Sequence, residues 1–213
     1  MIDLHTHSLL SDGALLPSEL VRRAYAIGYK AIGIADHADI SNIDFIVPRI
    51  VKASRILTSS KIKVVPGIEL THVPPKDFPS LIKYARANGI KLVIVHGETI
   101  VEPVIPGTNA CALECDIDIL AHPGLITLRD AKVAVRREIC LELTAKTGHS
   151  LTNGHVARVA REAKAKLILN TDAHGPKDLI TRDTAMSIIL GSGLTEAQAH
   201  AVFKNSSQLL KKF

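Results

Sequence analysis

Short apolar runs recur along the chain, and between them lie stretches whose apolar residues fall three or four positions apart. The runs read as buried strands and the intervening stretches as helices that cover them. The strands are expected at Ile2 to Leu4, Lys30 to Ala35, Ile62 to Ile68, Lys91 to Val95, Ile117 to Ala121, Ile139 to Leu143 and Leu167 to Asn170. Helices are expected at Pro17 to Ile27, Val47 to Thr58, Phe78 to Ala87, Gly107 to Glu114, Leu128 to Arg137 and Gly154 to Ala165. A last helical segment begins at Thr181 and breaks near Gly191-Ser192-Gly193. The punctuation agrees, since Pro17 suits an opening turn while Gly28 and Asn88-Gly89 suit helix ends.

Seven strands alternating with helices through short connections call for parallel pairing with right-handed crossovers. An open doubly wound sheet and a closed barrel both satisfy that pattern. The polar residues separate them. His5 and His7, Asp36-His37, Glu69, His96, His122 and Asp172-Ala173-His174 each sit at or just beyond the end of an apolar run, on six of the seven strands. An open sheet uses a few strand ends at a switch point, whereas a barrel gathers all of them around one mouth. The expected fold is therefore an α/β (β/α)7 TIM-like barrel, one domain over residues 1–213, with its site at the C-terminal ends of the strands.

Composition narrows this further. With 46% hydrophobic residues, 3% aromatic and no Trp, the core must be filled by aliphatic side chains, as in parallel strands covered by helices. The longest apolar runs fall short of a membrane span, and no basic region precedes a hydrophobic leader, so a cytoplasmic protein is expected. Cys111, Cys115 and Cys140 lie in no Cys-x-x-Cys arrangement and read as small hydrophobes in a reducing compartment. The formal charge of +5 is scattered among acidic residues, so a nucleic-acid partner stays open without being favoured.

His5 and His7 stand two apart on an extended backbone, so both imidazoles leave the same side and suit one metal ion. Alone the pair is a weak signal. In order, the chain carries His5-Thr-His7, Ser11-Asp12-Gly13, Asp36-His37, Pro66-Gly67-Ile68-Glu69, His96, His122-Pro123 and Asp172-Ala173-His174. That series resembles the PHP family, named for polymerase and histidinol phosphatase. The resemblance implies a distorted seven-unit barrel with a trinuclear site, filled by two or three divalent ions, Zn, Mn or Fe. His5, His7, Glu69 and Asp172 would hold the first ion, Glu69 would bridge to a second on His96 and His122, and Asp12, His37 and His174 would hold a third. Many members place histidine where Asp12 stands here, which would make the third position harder and more tolerant of Mn²⁺.

The activity so implied is that of a metal-dependent phosphoesterase, a phosphatase acting on a small phosphomonoester such as histidinol phosphate or a nucleotide, through metal-activated hydroxide. A phosphodiesterase or exonuclease variant of the same site is kept open. No P-loop is present to bind a nucleoside triphosphate. Asp36 is expected to orient a ligand histidine, and His149 to give a proton to the leaving oxygen. Lys146, Asn153, Lys177 and Arg182 lie in or after the loops that could meet the phosphate. His72, His155 and His200 are expected to be structural or solvated. The competing reading is a non-catalytic nucleic-acid-binding barrel, since the archaeal-type ribonuclease P protein subunit resembles the same barrel but lacks the metal ligands. An amidohydrolase is a lesser option, for want of a bridging lysine at a strand end.

Overall fold

The computed structural model of the chain describes residues 1–213. Its strands are β1 (Ile2–Thr6), β2 (Ala31–Ile34), β3 (His37–Ala38), β4 (Lys63–Leu70), β5 (Leu92–His96), β6 (Ile119–Ala121), β7 (Cys140–Thr144) and β8 (Leu167–Asn170). Its helices are α1 (Pro17–Ala26), α2 (Ile43–Leu57), α3 (Phe78–Ala87), α4 (Thr108–Ala112), α5 (Leu128–Arg137), α6 (Asn153–Ala163), α7 (Arg182–Gly191) and α8 (Glu196–Leu210). All strands run parallel, in the order β1-β2-β4-β5-β6-β7-β8, and the two-residue β3 pairs with β4 beyond the end of β2. These seven strands curl into a nearly closed TIM-like barrel, the expected architecture.

Besides shifts of a few residues at element ends, two departures from expectation bear on the site and the core. The extra strand β3 forms because the chain stays extended after Ala35, which sets His37 opposite Glu69. Helix α2 begins at Ile43, before Pro48, because Ile43, Ile46, Val47 and Ile50 all face the core. Pro48 lacks the N–H that would reach one carbonyl in the preceding turn, and this burial offsets the loss.

Closure between β1 and β8 is made largely by side chains. A single parallel bridge joins Thr6 to Ala173, with the His7 amide donating to the Ala173 carbonyl at 2.8 Å. Below it the Asn170 Oδ1 accepts from the Leu4 amide (2.9 Å), and the Asp3 carboxylate accepts from the Thr171 amide (3.2 Å) and hydroxyl (2.6 Å). Helix α8 lies across this seam, packing on both β1 and β8. The buried amides that a continuous ladder would pair find these substitutes instead.

Strand alternation sorts the core into two layers. Ile32, Ile34, Ile68, Val93, Val95, Leu120, Leu141 and Leu169 face the helices in the larger layer. Leu92, Ile94, Ile119, Cys140 and Ile168 belong to a smaller inner set, sharing their strand faces with His96, Glu142 and Asn170 further along. A Cβ on Gly33 would lie 2.5 Å from the Leu4 carbonyl oxygen and 2.9 Å from Leu92 Cδ2, so β2 must carry a glycine there for Leu92 to fill the lumen.

The seam also carries a pH signature. Burial pushes the Asp3 carboxyl up to about 6, against the hydrogen bonds from Thr171 and His5. The folded chain therefore holds this proton more tightly than the unfolded one. The resulting penalty is absent below the unfolded value near 3.8, grows as pH rises, and is complete above about 6. Asp3→Asn is expected to remove a loss on the order of 2–3 kcal/mol between pH 4 and 7, read as a flatter denaturant midpoint against pH than the parent shows.

Candidate metal centre

At the C-terminal mouth, inward-facing strand positions end in polar side chains. His5 sits on β1 with its Nδ1 2.9 Å from Glu142 Oε1, which leaves Nε2 facing Glu69 (3.4 Å) and Asp172 (3.8 Å). His7 Nε2 lies 3.0 Å from Asp172 Oδ1 and 3.7 Å from Glu69. His122 Nε2 lies 3.5 Å from the other Glu69 oxygen and 3.7 Å from the other Asp172 oxygen. His122 (φ 25°) and Asp172 (φ 51°) both hold left-handed backbone conformations, strain of the kind a rigid scaffold imposes where a side chain must point inward.

Burial disfavours charge throughout this cluster, and the neighbours decide the outcome. For His5 the carboxylates of Glu142, Glu69 and Asp172 outweigh burial and hold its pKa well above the ordinary value. Burial wins at His7, whose pKa falls to about 4 despite Asp172. Against the same burial, His5 and its companion imidazoles hold Glu69 and Asp172 well below the usual carboxylate range. The field that traps protons here favours any other cation.

A second group opens toward solvent. His37 Nδ1 lies 2.8 Å from Glu69 Oε2, and its Nε2 is 3.5 Å from Asp12 and 3.3 Å from His174 Nε2. His174 Nε2 is 3.2 Å from the second Asp12 oxygen. Despite burial, Asp12 and Glu69 raise His37 to about 10, while His174 and His37 hold Asp12 far below its ordinary range. Gly13 makes the turn that presents Asp12, because a Cβ at that position would run into the His7 carbonyl.

A third group lines the far wall. His96 Nδ1 contacts the Gly97 carbonyl at 3.1 Å, and His149 Nδ1 contacts Thr99 Oγ1 at 2.8 Å, leaving both Nε2 atoms toward the cleft. His149 stacks on His122 with ring centroids 4.3 Å apart. Glu102 reaches in from the loop after β5 and meets His72, His96 and His149. The His96 hydrogen bond, opposed by burial, draws the Glu102 carboxyl down to about 2.

The donors fit divalent ions. His5 Nε2, both nitrogens of His7 and His122, Glu69 Oε1 and Asp172 Oδ1 are buried and lack a hydrogen-bond partner. Such atoms are costly unless something pairs them. Ligands held about 2.0–2.2 Å from a tetrahedral ion stand roughly 3.3–3.6 Å from one another, close to the separations above. Ligand-distance groupings are His5-His7-Asp172, His5-Glu69-His122, His7-Asp12-His37-His174 and His96-His122-His149. Each of the nine expected ligands falls in at least one of these groups at the barrel mouth. His96, however, groups with His122 and His149 rather than with Glu69.

Other expected roles change. Asp36 touches no histidine: its carboxylate accepts from the Ser8 amide (2.7 Å), the Ser8 hydroxyl (2.7 Å) and the Ser11 hydroxyl (2.8 Å), pinning the turn after His7. Asn153 is spent on the Thr144 backbone, accepting from its amide and donating to its carbonyl, so it does not face a substrate. Arg182 stacks 4.3 Å over Phe203 beside Met1, at the opposite end of the barrel. Lys177 is exposed and lies outside the cleft. Lys146 does reach it, with Nζ 2.6 Å from His174 Nδ1 and 3.3 Å from the Asp172 carbonyl. Burial and His122 pull His149 down to about 4, so its ring is neutral near pH 7, which suits a ligand better than the expected proton donor.

Glu142, Glu102 and His72 were absent from the expected set. Glu142 alone left a sequence signal, an acid at an inward position of a strand otherwise made of Cys140, Leu141, Leu143 and Thr144. His155 and His200 lie apart from the site as expected, with His155 Nε2 2.8 Å from the Ile126 carbonyl and His200 exposed.

Comparison with known families matches the PHP domain over residues 3–181. The chain belongs to the PHP family. A protein of uncharacterised function from Methanocaldococcus jannaschii is 44% identical to this PHP domain over 214 residues, covering 99% of this chain and 98% of its own. The histidinol phosphate phosphatase of Lactococcus lactis, crystallised with zinc, L-histidinol and phosphate, superposes with a TM-score of 0.62 at 16% identity, over 91% of this chain and 94% of its own. A chain from an archaeal ribonuclease P bound to mature tRNA superposes with a TM-score of 0.74, also at 16% identity, over 98% and 89%. Both superpositions speak to the fold. No helix of the PHP domain is long and apolar enough to cross a membrane.

Proposed function

We propose that this PHP domain is a metal-dependent phosphoesterase, and that it hydrolyses a small phosphomonoester. One observation carries the reading: a set of buried, unpartnered imidazole and carboxylate atoms lies beneath a cleft of about 360 Å³ that no hydrophobic residue lines. His5, His7, Glu69, His122 and Asp172 would hold ions at its floor, with Asp12, His37 and His174 on one side and His96 and His149 on the other. When bound, such ions supply Lewis acidity for the phosphoryl oxygens and hydroxide at neutral pH. No covalent enzyme intermediate is then needed.

The chain's own residues orient the ester. Lys146 is the one lysine lining the cleft, and its contacts to His174 and the Asp172 carbonyl aim Nζ at the mouth. It donates to a phosphoryl oxygen. The rim carries exposed Ile100, Val101, Leu125 and Leu151 on the loops after β5, β6 and β7, which can shelter an organic leaving group but not select one closely. Lys146→Met is expected to raise KM about 10- to 100-fold, the worth of one charge-assisted hydrogen bond, with little change in bound metal. Steady-state kinetics beside elemental analysis checks both.

The ribonuclease P likeness favours a second reading, a barrel that binds structured RNA without hydrolysis. The complete ligand set argues for the enzyme. The two part on phosphate release from p-nitrophenyl phosphate and a metabolite panel, measured after chelation and again after adding back Zn²⁺, Mn²⁺ or Fe²⁺. The enzyme loses activity on chelation and regains it with metal. No release under any metal, with tight binding of structured RNA, would overturn the proposal in favour of the second reading.

A further inference from the structure

We propose that His72 and Glu102, together with His96 on the outer wall of the cleft, form a divalent-cation position beyond those the nine expected ligands supply by themselves. The expected set contributes only His96 here, and His72 and Glu102 come from the loops that follow β4 and β5.

Three observations support it. Glu102 Oε2 lies 3.1 Å from His72 Nε2 and 3.1 Å from His96 Nε2, while Oε1 lies 3.3 Å from His149 Nε2. These are near the edge lengths of a tetrahedral zinc-type shell, roughly 3.3 Å for ligands about 2.0 Å from the ion. The remaining nitrogens of His96 and His149 are tied to the Gly97 carbonyl and the Thr99 hydroxyl, the outer hydrogen bonds that fix a ligand imidazole and turn Nε2 toward the ion. His72 holds φ at 53° without being glycine, a strained backbone that brings its ring to Glu102.

Glu102 has no lysine or arginine partner, only these three imidazoles. His72 Nε2, His96 Nε2 and Glu102 Oε2 make three protein ligands with an open fourth position, the pattern of a zinc site that keeps a place for water or substrate. An imidazole-rich set with one carboxylate selects a borderline ion such as Zn²⁺ or Co²⁺ over Mg²⁺. The side chains of His72 and Glu102 are 42% and 35% exposed, so this ion faces the same cleft as the floor but exchanges with solvent more readily. A cation there would add positive charge where a second anionic group of a substrate could lie.

The site stands apart from the proposed hydrolysis, and its test reads metal rather than turnover. The metal-stripped full chain is titrated with Co²⁺, following the visible absorption of tetrahedral cobalt together with equivalents bound by equilibrium dialysis. His72→Ala and Glu102→Gln are each expected to weaken the last equivalent by at least about tenfold, and the double variant to lose it, while the tighter equivalents are unchanged. Both residues are substantially exposed, so the variants fold, and unchanged thermal unfolding of the metal-free forms verifies it. If Glu102 serves only as a hydrogen-bond acceptor for His96, the double variant binds as many Co²⁺ as the parent with the same affinities, and the proposal is overturned. Loss of the last equivalent in a chain that releases no phosphate would support this site and reject the hydrolase; unchanged binding in an active enzyme would do the reverse.

Discussion

Glu69→Gln is expected to lower phosphate-ester hydrolysis by at least about a thousandfold and to release metal from the floor of the cleft. The carboxylate is fully buried, and its two oxygens face His5, His7 and His37 on one side and His122 on the other. It therefore joins the inner ligands to the His37 group through a single charged side chain. Glutamine keeps the shape but removes the charge and puts an amide nitrogen where an acceptor is required. The surrounding imidazoles then repel an incoming cation with less to offset them. Elemental analysis and steady-state hydrolysis on the same preparation check the result. Retained metal with near-parent turnover would show that the bridge has been placed on the wrong residue.

Glu142→Ala is expected to destabilise the chain by about 3–5 kcal/mol, the scale for breaking a buried charged network. Glu142 is fully buried and accepts from the His5 ring at 2.9 Å, the Asn170 amide at 2.8 Å and the His122 backbone N–H at 3.2 Å. Alanine strands all three and opens a cavity in the lumen. For a chain of this length a loss of that size lowers Tm by about 6–20 °C, measured by scanning calorimetry without added metal. Asn170 also closes the seam through its contact with the Leu4 amide, so hydrogen exchange should accelerate first in β1 and β8. A Tm within a degree or two of the parent would mean that Glu142 does not organise the centre.

The architecture was legible because parallel strands buried on both faces read as short apolar runs, and the ligands stand where those runs stop. Helices Phe78–Ala87 and Leu128–Arg137 and strand Leu167–Asn170 form at the expected bounds. The convergence of most of the nine expected residues was legible for a related reason: strand ends are fixed by the barrel, so a polar residue there has one direction to face. Loops carry no such period. Lys146 and Arg182 look alike as basic residues after strands six and seven, yet one lines the cleft and the other covers Phe203 at the far end. His72 and Glu102 meet only because the loops after β4 and β5 fold over the mouth, and nothing in their spacing announces it. Asp36 was misread for a subtler reason. Its place beside His37 suggested a partner for that ring, but successive residues of an extended chain point to opposite faces, and Asp36 turns to Ser8 and Ser11 instead.

The central claim is that distant imidazoles and carboxylates, gathered by the barrel, hold divalent ions at one mouth. Elemental analysis of the chain, stripped of metal and then dialysed against Zn²⁺ or Mn²⁺, tests it most directly. The account predicts about two or more tightly held ions per chain, with the count reduced in Glu69→Gln; a parent chain that retains none from either metal would contradict it.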